Sequence, residues 1–103
     1  MFVATLVYET DDATSKEARK LLRAELVGRR YNDHFEGKRM PEGCLWIRRS
    51  AEPHETVDDL KRKCQEELRS AVAAVSARGL PVRVSRVWLQ VSGAGTFGLA
   101  ENL

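Results

Sequence analysis

Two adjacent guanidinium groups, Arg48 and Arg49, follow the apolar run Cys44-Leu45-Trp46-Ile47. Strand neighbours point to opposite faces, so on a β-strand this pair sets a cation on each side of a sheet. A guanidinium keeps its charge and forks onto phosphate or carboxylate, which suits a polyanion. Arg29 and Arg30 form a second adjacent pair. They follow a helical pattern whose exposed side carries Lys16, Arg19, Lys20 and Arg23, so the set describes a basic stripe for a phosphate backbone, interrupted by Glu17 and Glu25. Arg29, Arg30, Arg48 and Arg49 are the expected phosphate contacts.

Glu9, Asp11 and Asp12 lie between a strand pattern and a helix start. Carboxylates there suit a hard cation that activates water for phosphodiester cleavage. They equally suit the positive end of a helix dipole, and that plainer role is the one the residues favour. His34 beside Asp33 has the makings of a general base, but no Ser or Cys stands at a spacing that completes a triad. Surface positions are expected for both His34 and His54. Gly93-Ala94-Gly95 has no helix after it, which excludes a phosphate loop. Trp46 and Arg48 share a strand face, as do Tyr31 and Phe35. Aromatic and cationic groups so placed could stack bases or form a dimer interface, and the interface is the preferred expectation. On the other face, one arginine of the 48–49 pair is expected to find Glu52 or Asp33.

The elements that position these residues read in order. Residues 2–8 are rich in β-branched and aromatic types and form a first strand. Thr14 and Glu17 have capping-box spacing, opening a helix to about Val27 with Ala18, Leu21, Leu22 and Leu26 on its buried face and Gly28 as C-cap. Residues 30–35 and 44–49 are expected to pair as antiparallel strands around a loop at 36–43, with Tyr31, Asp33 and Phe35 on one face. Thr56 and Asp59 repeat the capping box. The second helix follows, with Val57, Leu60, Cys64, Leu68, Ala71, Val72 and Val75 as its apolar stripe, ended by Gly79 and Pro81. A last strand covers 82–91. The expected fold is α+β, the ferredoxin-like βαββαβ arrangement, with two helices on one face of a four-stranded antiparallel sheet. Its open face calls for a homodimer that stacks sheet on sheet. The Gly-rich tail, residues 92–103, carries Phe97 and Leu99 as a further dimer contact.

The chain has 103 residues, 43% hydrophobic and 31% charged, which is one ordinary globular domain. No apolar run approaches a membrane span. Met1-Phe2-Val3-Ala4-Thr5-Leu6 lacks the basic start of a signal peptide, so a cytoplasmic location is expected. Cys44 and Cys64 exclude a disulfide framework and a cysteine-rich zinc site and are expected as buried small hydrophobes. Net charge is only +2, so overall charge alone does not predict nucleic-acid binding. The cations are nevertheless mostly arginine, twelve against five lysines.

Leu6-Val7-Tyr8-Glu9 at the end of the first strand, Leu45-Trp46-Ile47-Arg48-Arg49-Ser50 before a capped helix, and Val84-Ser85-Arg86-Val87-Trp88-Leu89 before Gly95-Thr96-Phe97-Gly98-Leu99 carry a resemblance. The chain resembles the small CRISPR-associated ferredoxin-fold nucleases and their toxin–antitoxin relatives, the GhoS-type antitoxin RNases. The resemblance implies a dimer that binds RNA or DNA and an aspartate at the end of strand one that holds a metal ion. Glu9 stands at that position here, with Asp11 two residues on, and Mg²⁺ is the cofactor such oxygen ligands would take. The function expected is therefore nucleic-acid binding, with metal-dependent endoribonuclease activity left open. The alternative is a non-catalytic interaction module that oligomerises through its open sheet face and tail.

Overall fold

The computed structural model describes residues 1–93, 98 and 100. β1 (Phe2–Thr10) leads to α1 (Lys16–Gly28), then to two short strands, β2 (His34–Phe35) and β3 (Lys38–Arg39). β4 (Cys44–Arg49), α2 (Val57–Ser76) and β5 (Val84–Gly93) follow. β1 is the centre of a three-stranded antiparallel sheet in the order β4-β1-β5. Strand alternation sorts its residues. Ala4, Leu6 and Tyr8 face the helices with Leu45, Ile47, Leu89 and Val91. Leu22, Leu26, Cys64, Leu68, Ala71 and Val75 of the two helices close this core.

The fourth strand expected over 30–35 is absent from this sheet. It is reduced to one bridge, where Asn32 N–H donates to Trp46 O at 2.7 Å and Trp46 N–H donates to Asn32 O at 3.1 Å. The cause is local. Glu36 and Gly37 both hold positive φ, 52° and 78°, the signature of a two-residue hairpin turn. This turn folds β2 back onto β3 in a separate two-stranded ribbon before a longer pairing with β4 can form. Arg23 of α1 pins the ribbon. Its guanidinium is buried and donates to Asp33 Oδ2 at 3.1 Å, Asp33 O at 3.3 Å and Met40 O at 3.1 Å.

The helix ends shift slightly from the sequence expectation. Ser15, not Thr14, caps α1, accepting from Ala18 N–H at 3.1 Å. Thr14 is instead buried, its hydroxyl donating to Asp11 Oδ1 at 3.0 Å and accepting from Arg83 N–H at 3.2 Å. At the other end α1 runs through Gly28, and Arg30 takes the left-handed conformation, φ 76°. Tyr31 N–H then reaches Leu26 O at 3.1 Å and Arg30 N–H reaches Val27 O at 3.0 Å, the paired bonds of a Schellman ending. The apolar contact that accompanies such an ending explains the choice: Tyr31 enters the core beside Leu26, whereas a cap at Gly28 would leave it outside. The Thr56–Asp59 capping box of α2 forms as expected, with both reciprocal bonds present. Val57, placed on the buried stripe by periodicity, is exposed in the first turn of α2. β5 is displaced from the expected 82–91, starting at Val84 and ending at Gly93. Cys64 is buried and Cys44 half-buried.

Candidate anion-binding cleft

Arg29, Arg30, Arg48 and Arg49 come together. With Lys63, Leu60, Ile47, Ser50 and Glu67 they line a cleft of about 330 Å³ beside β4. Arg29 and Arg30 arrive from the ending of α1, Arg48 and Arg49 from the end of β4, and Lys63 and Glu67 from successive turns of α2. The convergence follows from the split connection, because β4 lies at one end of the strand order. Side chains from both of its faces can therefore wrap around its outer side.

The five cations differ in how firmly they are held. Arg49 pairs with Glu67, not with Glu52 or Asp33 as expected from sequence. Glu67 also accepts from the Tyr31 hydroxyl at 2.8 Å. Burial pushes the Tyr31 hydroxyl up, and Cys64 and Glu67 push it the same way, so it stays protonated and donating. Burial is the largest influence and works against the charge on Arg49, but its hydrogen bond to Glu67 and the negative charge around it together outweigh burial and hold the guanidinium raised. Arg29 pairs with Glu25 at 3.2 Å, and Lys63 pairs with Glu55. Arg29 Nε and Arg49 Nε are buried with no hydrogen-bond partner among the described residues. Arg30 and Arg48 are exposed and have no carboxylate partner among the described residues. Arg48 instead lies 5.7 Å from the centroid of the Trp46 ring, a cation–π distance.

Among the residues lining the cleft, Glu67 is the only carboxylate. Two guanidinium groups without carboxylate partners among the described residues, flanked by three paired cations, are chemically suited to a multiply charged anion, which could fork onto Arg30 and Arg48 without breaking a buried pair.

The basic stripe expected along α1 does not form as one surface. Arg23 is buried under the ribbon and Arg19 pairs with Glu42 at 3.1 Å, which leaves Lys16 and Lys20 exposed beside them. Glu9 and Asp11 are not brought together either. Glu9 lies on the helix-free face of β1 with Arg86 at 3.8 Å. Asp11 accepts from Thr14 at 3.1 and 3.0 Å and has Arg83 at 3.7 Å. Each is thus engaged by an arginine, and among the described residues no group of three or more His, Cys, Asp or Glu could hold a metal ion. His34 Nδ1 lies 2.7 Å from Asp33 Oδ1 on the exposed ribbon. Phe97 and Leu99, expected as tail contacts, lie outside the described residues.

Sequence reasoning missed the roles of Tyr31 and Glu67. Tyr31, Asp33 and Phe35 do not share a face. Tyr31 enters the core, and Phe35 meets Trp46 edge-on at 5.9 Å. No helix among the described residues is long and apolar enough to cross a membrane. The chain matches no protein-family model, no curated protein and no solved structure.

Proposed function

We propose that the chain binds nucleic acid, with its phosphate backbone held in the arginine cleft. The observation that carries this reading is the pair Arg30 and Arg48, exposed and without carboxylate partners, set beside Arg29, Arg49 and Lys63 in one cleft. Electrostatic contacts of this kind dominate nucleic-acid affinity and do not depend on base sequence. The connection order supports reading the domain as a ferredoxin-like variant whose fourth strand survives as the Asn32–Trp46 bridge. That reading keeps the resemblance to the CRISPR-associated and toxin–antitoxin group, and a homodimer, within the proposal. No cleavage step is part of it, because Glu9 and Asp11 are each engaged by an arginine within the protomer.

A salt titration with RNA and DNA tests the reading. Each phosphate contact contributes about −0.7 to the slope of log affinity against log salt for a single strand, and about −0.9 for a duplex. Binding that is absent at low ionic strength, or that survives replacement of Arg30 and Arg48 together by glutamine with an unchanged slope, removes it.

One observation favours a second reading, the interaction module. Val87 and Trp88 are exposed on β5, and Val87 lines an apolar groove of about 520 Å³ with Leu68, Val72, Val82 and Val84. Concentration-dependent dimerisation that is lost in Val87→Lys, with no nucleic-acid affinity, would support that reading instead.

A further inference from the structure

The helix-free face of the sheet carries a second arrangement that begins at the cleft. Trp46 of β4 and Trp88 of β5 both point to it, on either side of Thr5 and Val7 of the central strand. From strand spacing and rise, their Cα atoms lie about 12 Å apart. Trp88 is 55% exposed, with Arg86 and Gln90 flanking it on the same face. Trp46 is held in place: its indole N–H donates to His34 O at 2.9 Å, and the Arg48 guanidinium lies 5.7 Å from the ring centroid. Arg48 also lines the cleft. One side chain therefore joins the phosphate-binding groups to the first indole.

This face is not uniformly open. Val3 points to it yet is buried at 1% between Arg48 and Ser92, so the accessible part is the end around Trp88 and Arg86.

We infer that the exposed end of this face, around Trp88, is a base-stacking platform reached from the cleft past Arg48 and Trp46, so the ligand of the cleft is a single-stranded nucleic acid and not a duplex. This rests on the cleft reading and adds the substrate class. A duplex keeps the faces of its bases inside the stack, whereas a single strand offers them to an indole. Charge favours this occupant over a second copy of the chain. A self-associating face would bring two copies of a net-positive surface together, because Glu9, the one carboxylate that the three strands place on it, already lies 3.8 Å from Arg86 and leaves Arg48 unmatched. A nucleic-acid strand brings phosphates to that unmatched charge instead.

The test uses the full chain and its two tryptophans as reporters. The probes are oligouridine and oligothymidine of about ten nucleotides, within the usual range of single-strand site sizes, a duplex of equal length, and inorganic polyphosphate. Single strands are expected to quench indole fluorescence and to bind tighter than the duplex. Trp88→Ala is expected to weaken single-strand binding about five- to a hundredfold, the usual effect of removing one stacking ring, and to leave polyphosphate affinity unchanged. Trp46→Phe keeps a ring in the more buried position and is expected to weaken single-strand binding by a smaller factor. Equal affinity for single strand and duplex, with Trp88→Ala neutral, overturns the platform while polyphosphate binding that depends on Arg30 leaves the cleft standing. Polyphosphate binding indifferent to Arg30→Gln removes the cleft reading instead. Loss of a dimer in Trp88→Ala, without loss of nucleic-acid affinity, shows the face to be a self-interface and overturns the inference.

Discussion

Arg48 and Arg49 are neighbours in β4 that leave the sheet on opposite faces, yet both line the same cleft. Arg48 lies over Trp46 on the helix-free side, while Arg49 is held by Glu67 on the helix side. One is available to a ligand and the other is committed to the fold. Their replacement should separate binding from stability.

Arg48→Gln is expected to leave unfolding within about 0.5 kcal/mol of the parent, as for exposed surface changes. The same change should flatten the salt dependence of nucleic-acid binding. Arg49→Gln removes the charged partner of the part-buried Glu67, leaving it the Tyr31 hydroxyl and solvent, and is expected to cost about 1–2 kcal/mol. Chemical denaturation and a salt titration on both variants check the contrast, and equal stability losses would contradict it.

Arg30 is expected to show opposite effects on stability and binding. Its left-handed conformation, φ 76°, costs a residue with a Cβ about 1 kcal/mol. Arg30→Gly should therefore stabilise the fold by about 0.5–1 kcal/mol while weakening anion binding. A stabilised variant that binds as well as the parent would mean that Arg30 is a helix ending and nothing more.

Gly43 has φ 80°, and a Cβ there would collide with the Tyr8 carbonyl oxygen. The strands meet closely at this point, where Tyr8 N–H donates to Gly43 O at 2.9 Å. Gly43→Ala is expected to cost more than about 2 kcal/mol, from strained backbone and the forced shift of β1 together. A denaturation midpoint equal to the parent's would refute the contact.

Asp33 should make part of the stability depend on acid. Burial works to raise its carboxyl, but hydrogen bonds from His34 and Arg23 outweigh burial and hold it below its ordinary value of 3.8. A carboxyl depressed on folding contributes stability that is present above its unfolded value, near pH 4, and is lost as pH falls through the lower folded value. Asp33→Asn should lower stability at neutral pH and make its decline below pH 4 shallower, as read by denaturation midpoints across pH 2–7. An unchanged slope would show that Asp33 does not carry this dependence.

Glu67→Gln removes the one carboxylate lining the cleft while keeping an acceptor for Tyr31. Anion affinity should rise a few-fold, and stability should fall by about 1–2 kcal/mol because Arg49 loses a charged partner. Weaker binding would mean that Glu67 positions Arg49 for the ligand.

Local chemistry by itself determined the elements and the identity of the cations. The period of Leu60, Cys64, Leu68, Ala71 and Val75 marked α2 because a helix on a sheet must present an apolar stripe every turn. The Thr56–Asp59 spacing marked its start because both partners lie within one turn. Arg29, Arg30, Arg48 and Arg49 stood out as adjacent guanidinium pairs in a chain otherwise balanced in charge. Tertiary structure decided what those pairs do. The Glu36–Gly37 turn diverted the expected fourth strand, and the left-handed Arg30 at the end of α1 turned Tyr31 into the core to meet Glu67. The partner of Arg49 lies 18 residues away on another element, a separation that no periodicity encodes. The meeting of the two arginine pairs depends in the same way on how α1, β4 and α2 pack, because long-range contacts are set by the fit of whole faces and not by neighbouring residues.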